Sequence, residues 1–248
     1  MASSRPSPIE TVPGHRPRLV APLWHTVVLV IAILVLTLGQ ARQQQHLGAM
    51  VLKSRLPLYF AQIAFELILF SYVWLLGLKL TGTPIRELIG GRWASLRDVV
   101  RDIGAAAVFW IIVGIVLLIL NKILGQNATG LRAVRLLLPQ NAVEMGVWVL
   151  LCITAGFCEE FVFRGYLQRQ IFAVTGHASW AIVLQALVFG TAHGYQGIKG
   201  IVTISVYGMM FGILALVRKS LRPGMVQHAS QDIFSGIAGS ILARRHYF

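Results

Sequence analysis

Charge is what this sequence has least of. Only 12% of its 248 residues are charged, against about 25% in a soluble globular domain. Acids are scarcer than bases, with 9 Asp+Glu against 22 Lys+Arg. A hydrophobic fraction of 56% and a mean hydropathy of +0.71 exclude an ordinary water-soluble globule and leave a membrane protein. Cysteine is almost missing as well. Cys152 and Cys158 fall in one apolar stretch, which excludes a secreted disulfide scaffold and reads as core filling. The net charge of +13 does not point to nucleic acid, because the apolar runs leave no room for a separate basic domain. The basic residues sit in the connections, where anionic lipid head groups meet them.

A spanning helix needs about 20 mostly apolar residues to cover about 30 Å of hydrocarbon. The sequence offers about seven such stretches, near 20–40, 57–80, 99–120, 143–171, 178–194, 198–217 and 223–243. The expected fold class is therefore all-α: a polytopic transmembrane bundle with a polar cavity inside the membrane. Val20 to Leu38 is longer than a signal-peptide core and no small-x-small cleavage site follows it, so it reads as a retained anchor. The Ser/Pro-rich start, within residues 1–19, is expected to be a disordered tail. Residues 20–141 should supply N-terminal spans and interfacial segments, and 142–243 the chemistry. Lys and Arg number 13 on the connections that share a side with the N-terminus and 9 on the other, which favours an inside N-terminus. Thr81 to Asp98 and Asn121 to Gln140 mix charges with apolar residues and read as helices lying on the bilayer. Trp24, Trp93, Trp180, Tyr59 and Tyr247 are expected to mark membrane interfaces.

The informative residues are the polar ones inside apolar spans. Each ionisable group at bilayer depth costs about 2.5–3.5 kcal/mol, so such groups persist where they pair or line a wet cavity. The first cluster is Glu159, Glu160 and Arg164. Glu160 and Arg164 are four apart on one helical face and can pair, whereas Glu159 is turned about 100° away and should project toward another helix. A general base needs a neighbour that orients it, and a second carboxylate neutralised by an arginine provides one. The bland alternative is an ion-paired helix with no chemistry. The second cluster is Phe189-x-x-x-His193, where Gly190 and Gly194 form a small-xxx-small face for close helix approach. If the chain turns near Thr175, Glu159 and His193 each lie about 25 Å from the turn and share a depth. The third is His228-x-x-x-Asp232. His228 comes only four residues past Gly224, too near that end of a straight hairpin to reach the depth of His193. A tilted helix, or a connection over Gly194 to Gly200 that re-enters the membrane, is therefore expected. Glu66, one turn after Gln62, is expected to line the cavity or pair with a basic residue, and Gly208-x-x-x-Gly212 to pack helices.

Together, Glu159-Glu160-x-x-x-Arg164, Phe189-x-x-x-His193 and His228-x-x-x-Asp232 resemble, over about residues 142–243, the CPBP intramembrane metalloprotease-like family. That family includes the type II CAAX prenyl endopeptidases and the bacterial Abi proteins. The resemblance implies a multi-spanning helical protein with a conical intramembrane cavity that cleaves peptide bonds. It implies that Glu159 activates the attacking water, His193 helps hold it, Glu160 and Arg164 set the position and charge of Glu159, and His228 with residue 232 stabilises the oxyanion. The third motif often ends in Asn; an ionised Asp232 only accepts hydrogen bonds, so here it would be protonated or would hold His228 in its cationic, donating form.

A metal-free mechanism, with no cofactor, is the favoured expectation. The alternative is a zinc-dependent protease using Glu159, His193, His228 and Asp232 as ligands, although HExxH is absent from the sequence. GxGD and GxSG protease signatures are absent too. The expected partners are the lipid bilayer and a peptide or protein substrate, prenylated or otherwise membrane-bound, with no nucleic acid. The expected place is a multi-pass position in a membrane, the cell membrane for a bacterial source. Two competing readings use the same residues: a carrier whose glutamates and histidines relay protons, and a non-proteolytic scaffold or immunity protein. Against the carrier stands the lack of two matching broken-helix halves.

Overall fold

The computed structural model describes residues 18–51 and 53–244, and every element among them is helical. The expected tail, up to residue 17, and Tyr247 lie outside the described residues. Helix α1 covers Leu23–Val51, α2 Leu56–Thr81, α3 Ile85–Ile89, α4 Leu96–Leu124 and α5 Ala128–Leu137. They are followed by α6 at Ala142–Thr175, α7 at Ala178–Ala192, α8 at Gly197–Arg218 and α9 at Arg222–Arg244. Each of the seven expected spans coincides with a helix. Among the described residues, α2, α4, α6 and the stretch Gly194–Arg218 are long and apolar enough to cross a membrane, while Leu23–Thr37 and Ala178–Ala192 are shorter apolar helices. Helix α9 is the polar one, carrying Gln227, His228, Gln231 and Asp232. The two connections read as interfacial contain the short helices α3 and α5.

Local chemistry sets the helix ends. Ser95 and Asp98 exchange the two hydrogen bonds of a capping box at the start of α4, and the side-chain oxygens of Asn127 and Asn141 cap α5 and α6. Helix α6 stops where Gly176 takes φ 71°, a left-handed conformation that lacks a steric cost only for glycine. The turn therefore falls beside Thr175, as the depth argument requires. Two stretches widen into π-helix, Tyr72–Leu78 within α2 and Glu160–Leu167 within α6. The pattern of apolar residues gave no sign of either.

Helix α6 is the central post. Helix α2 lies parallel to it, with Tyr59 against Trp148 at one end and Phe70 against Phe161 further along. Helix α9 lies antiparallel, with Met225 and Ala229 at the level of Gly156 and Trp148 bonded to the Asp232 carbonyl. Gly190, Gly208 and Gly212 line the seam where α7, α8 and α6 approach most closely, as the small-residue spacing suggests. No re-entrant connection is needed to bring His228 to the site. The turn between α8 and α9 sits at the level of Gly165, not at the end of α6, because Leu221 packs on Gly165 and its N–H bonds to the Ile89 carbonyl. The last hairpin is thus shifted along α6, and His228 reaches Glu159 from a straight α9.

Two buried polar groups fasten the outer helices. Asp102 of α4 is 2.9 Å from Arg218 and 3.8 Å from Arg222, and accepts a hydrogen bond from Trp93 at 2.9 Å. This clasps α4 to the α8–α9 turn. His25 of α1 stacks on Tyr72 and donates through Nε2 to the Tyr72 carbonyl, which leaves Nδ1 to accept from the Tyr166 hydroxyl at 2.7 Å. Trp24, Trp93 and Trp180 are exposed, as membrane-facing aromatics would be. Tyr59 is not: it is buried, and its hydroxyl donates to the Leu137 carbonyl. Its polar tip is satisfied by backbone inside the bundle and needs no water interface.

The α6–α9 seam depends on the bare backbone of Gly156, where an added Cβ would lie 2.9 Å from the Ala229 nitrogen. Gly156→Val should force the helices apart at a cost of about 1–3 kcal/mol, typical of overpacking. Thermal unfolding in detergent should show a lowered midpoint, whereas Gly146→Val, at a glycine with open space beside it, should leave it unchanged.

Candidate active site

The site grows from the π-helical turn that follows Glu159. Wider helical turns of this kind occur often at functional sites. Here the widened turn still lets Arg164 meet Glu160, with Nη1 3.0 Å from Oε1 and both side chains buried. Aromatic rings surround the guanidinium: Phe189 at 4.2 Å and Phe211 at 5.1 Å from its carbon. Its Nη2 donates to the Gly208 carbonyl at 3.4 Å. Its Nε has no hydrogen-bond acceptor among the described residues, and the ring faces supply the electron density that water would otherwise provide.

Glu160 in turn holds His228. The imidazole Nδ1 lies 3.2 Å from Glu160 Oε1, and Nε2 lies 3.6 Å from both Glu159 Oε2 and Asp232 Oδ2. The short contact fixes the ring, because an ionised carboxylate only accepts and Nδ1 must then donate. The two longer contacts exceed a hydrogen bond, so Nε2 remains free to donate elsewhere. Glu160 also lies beside Gly224, where a Cβ would come within 3.1 Å of Oε2. That places its charge against the first turn of α9, the positive end of the helix dipole.

His193 comes to the cluster from the end of α7, where it ends the helix. Its Nδ1 donates to the Phe189 carbonyl at 2.9 Å, which leaves Nε2 as the basic nitrogen of the neutral ring. The ring packs on the edge of Phe189, and Phe189 separates it from His228. Asp232 interacts electrostatically with His193, His228 and Glu159. All six residues singled out in the sequence therefore belong to one cluster. Glu159, Glu160, Arg164, His228 and Asp232 are joined by direct ion-pair contacts, and His193 joins through Phe189 and the field of Asp232.

One further member was not foreseen, and a second, Glu66, was expected to line the cavity or pair with a basic residue. Tyr195 interacts with both Glu159 and Asp232; its place two residues after His193 was the available signal. Glu66 makes no contact with a base. Instead it accepts from Gln62 at 2.7 Å and meets the Glu159 carboxyl. Cys152 and Cys158 are free, buried thiols, in keeping with core filling. Among the described residues no group of three or more His, Cys, Asp or Glu side chains is placed so as to hold a metal ion.

Exposure runs in one direction through the site. The Arg164 and Glu160 side chains are 0% and 1% exposed, Glu159 13% and Asp232 38%. The sealed ion pair thus lies behind the reactive groups, and the opening lies at Asp232.

A helical membrane protein with a buried acid–imidazole cluster matches one known class. Residues 141–234 match the family model described as Type II CAAX prenyl endopeptidase Rce1-like. The matched stretch contains every site residue named above except Glu66. Comparison with curated proteins and with solved structures gave no match.

Removing Arg164 would leave Glu160 without its cation in a dry site. Arg164→Met should cost about 3–5 kcal/mol, the range for breaking a buried pair at one partner, and Glu160→Gln in the same chain should recover part of it. Thermal unfolding of the two single variants and the double variant measures the coupling.

Proposed function

We propose that the protein is a membrane-embedded endopeptidase in which Glu159 activates water to hydrolyse a peptide bond. The observation that carries this reading is the placement of His228, fixed by Glu160 through Nδ1 and left with an uncommitted Nε2 beside Glu159.

In this reading the Glu159 carboxylate takes a proton from water, while the basic Nε2 of His193 accepts the water's other O–H and aims its oxygen. The hydroxide oxygen bonds to the substrate carbonyl carbon, and the carbonyl pair moves onto oxygen. Carboxylates facing both ring nitrogens favour doubly protonated His228, so Nε2–H can donate to that oxyanion. A donor of this kind is worth about 2.7–4 kcal/mol. Asp232 supports the cation without touching the oxyanion, which explains how an acceptor can stand where a neutral amide would donate. When the intermediate collapses, the C–N bond breaks and the proton on Glu159 passes to the leaving amine. Arg164 keeps Glu160 ionised and takes no part in proton transfer. The mechanism uses no metal. Its substrate is a peptide or protein segment that reaches the membrane.

The test is purified protein with a quenched peptide library, comparing wild type, Glu159→Gln, His228→Ala and a chelator-treated sample. Glu159→Gln should abolish cleavage and His228→Ala should lower kcat by about 100- to 1000-fold, as loss of an oxyanion donor does. Chelator should leave the wild type active. Full activity in Glu159→Gln ends the reading, and loss of activity with chelator ends its metal-free form.

A further inference from the structure

Glu66 stands outside the family match and outside the three motifs, yet it is one of the most deeply buried acids in the chain, 2% exposed. Helix α2 carries it against α6, where its carboxyl is in side-chain hydrogen-bond contact with Glu159. The other ionisable group that α6 turns toward it is the Cys158 thiol. On its own helix, Gln62 Nε2 donates to Oε1 at 2.7 Å. Glu159 Oε2 is sealed from solvent and has no hydrogen-bond donor among the described residues.

Two carboxylates cannot hydrogen-bond to each other, because each only accepts. Adjacent acids in a site of low polarity resolve this by sharing one proton. The surroundings decide where that proton is held. Gln62 takes up Oε1 of Glu66 as an acceptor, which leaves Oε2 as the oxygen able to carry hydrogen. Glu159 faces the His228 ring at 3.6 Å, whereas the neighbour of Glu66 on its own helix is the neutral amide of Gln62. We propose that Glu66 is a positioning residue: it holds the single proton of a Glu66–Glu159 pair and donates it to Glu159, keeping that carboxylate ionised and fixed in orientation. The proposal rests on the role given to Glu159 above. The water's proton still goes to Glu159 and from there to the leaving amine, and the proton on Glu66 stays in place through the cycle.

The experiment uses two substitutions of similar size. Glu66→Gln keeps a donor toward Glu159 and an acceptor for Gln62, and Glu66→Leu removes both. Glu66→Gln should keep kcat within about threefold of wild type. Glu66→Leu should lower kcat by about 10- to 100-fold, the scale of a misplaced catalytic group, with KM within about twofold. Equal thermal midpoints for the two variants show that the loss is not one of folding. Infrared difference spectra of the protein alone give a second readout that needs no substrate. Wild type minus Glu66→Gln should contain the C=O stretch of a protonated carboxyl group. Absence of that band overturns the proposal whether or not the wild type cleaves peptides, and so does a Glu66→Leu variant with wild-type kcat. A band in a protein that cleaves nothing would instead leave the pair standing and remove the peptidase reading.

Discussion

An arginine with no exposed surface sets the terms for the rest of the site. Arg164 is among the largest fully buried side chains in the bundle, and moving a bare cation out of water costs several kcal/mol even after relaxation. Glu160 offsets that cost at 3.0 Å, and the faces of Phe189 and Phe211 and the Gly208 carbonyl add to it. These partners come from three helices, so the charge is satisfied only when α6, α7 and α8 are packed together. The same pairing holds Glu160 against the first turn of α9, where it meets His228 at 3.2 Å. Fold and site are therefore coupled through one guanidinium: the packing that stabilises it also places the imidazole.

Much of this was legible because helical spacing is a strong constraint. Glu160 and Arg164, Phe189 and His193, and His228 and Asp232 are each four apart, and in an apolar span such spacing leaves few ways to satisfy a charge. The hairpin arithmetic worked for Glu159 and His193 because it needed only one turn, and Gly176 put that turn where expected. It failed for His228 because it assumed that both hairpins end at one level. What shifts the second hairpin is the packing of Leu221 against Gly165 and its hydrogen bond to Ile89, contacts between segments far apart in sequence. The π-helical turns were hidden for a related reason. A change from four-residue to five-residue hydrogen bonding leaves the apolar pattern almost intact, and Glu160 and Arg164 remain within reach either way.

Glu66 and Tyr59 show the same limit in side chains. Both sit on α2, and each was given a meaning its residue type has often in a membrane: an acid that lines a cavity or pairs with a base, and a tyrosine that marks an interface. Tertiary contact gave both a different partner. Tyr59 found the Leu137 carbonyl, and Glu66 found another acid. Asp102 passed without comment for the opposite reason. It lies near the start of a long apolar helix, where a charge reads as the membrane boundary. In three dimensions it gathers Arg218, Arg222 and Trp93 into a clasp.

The direction of exposure explains how hydrolysis can be housed in a bundle whose outer surface is apolar. Water must reach Glu159 but must not reach the Arg164–Glu160 pair, because water there would screen the charge that fixes His228. The rings of Phe189 and Phe211 and the tight seam at Gly208 close that side. On the other side Asp232, with its side chain 38% exposed, stands 3.6 Å from the His228 ring. A carboxylate suits that position better than an apolar residue would, since it is a hydrophilic opening that also supports the cationic ring. The cost of a charge near the membrane is lowest where it can keep part of its hydration. Asp232 is the most exposed side chain of the cluster, whereas Glu160 is sealed and takes Arg164 as its partner. The order of exposure therefore follows from solvation before any chemistry is considered, and it leaves Glu159 between the sealed Arg164–Glu160 pair and the more exposed Asp232.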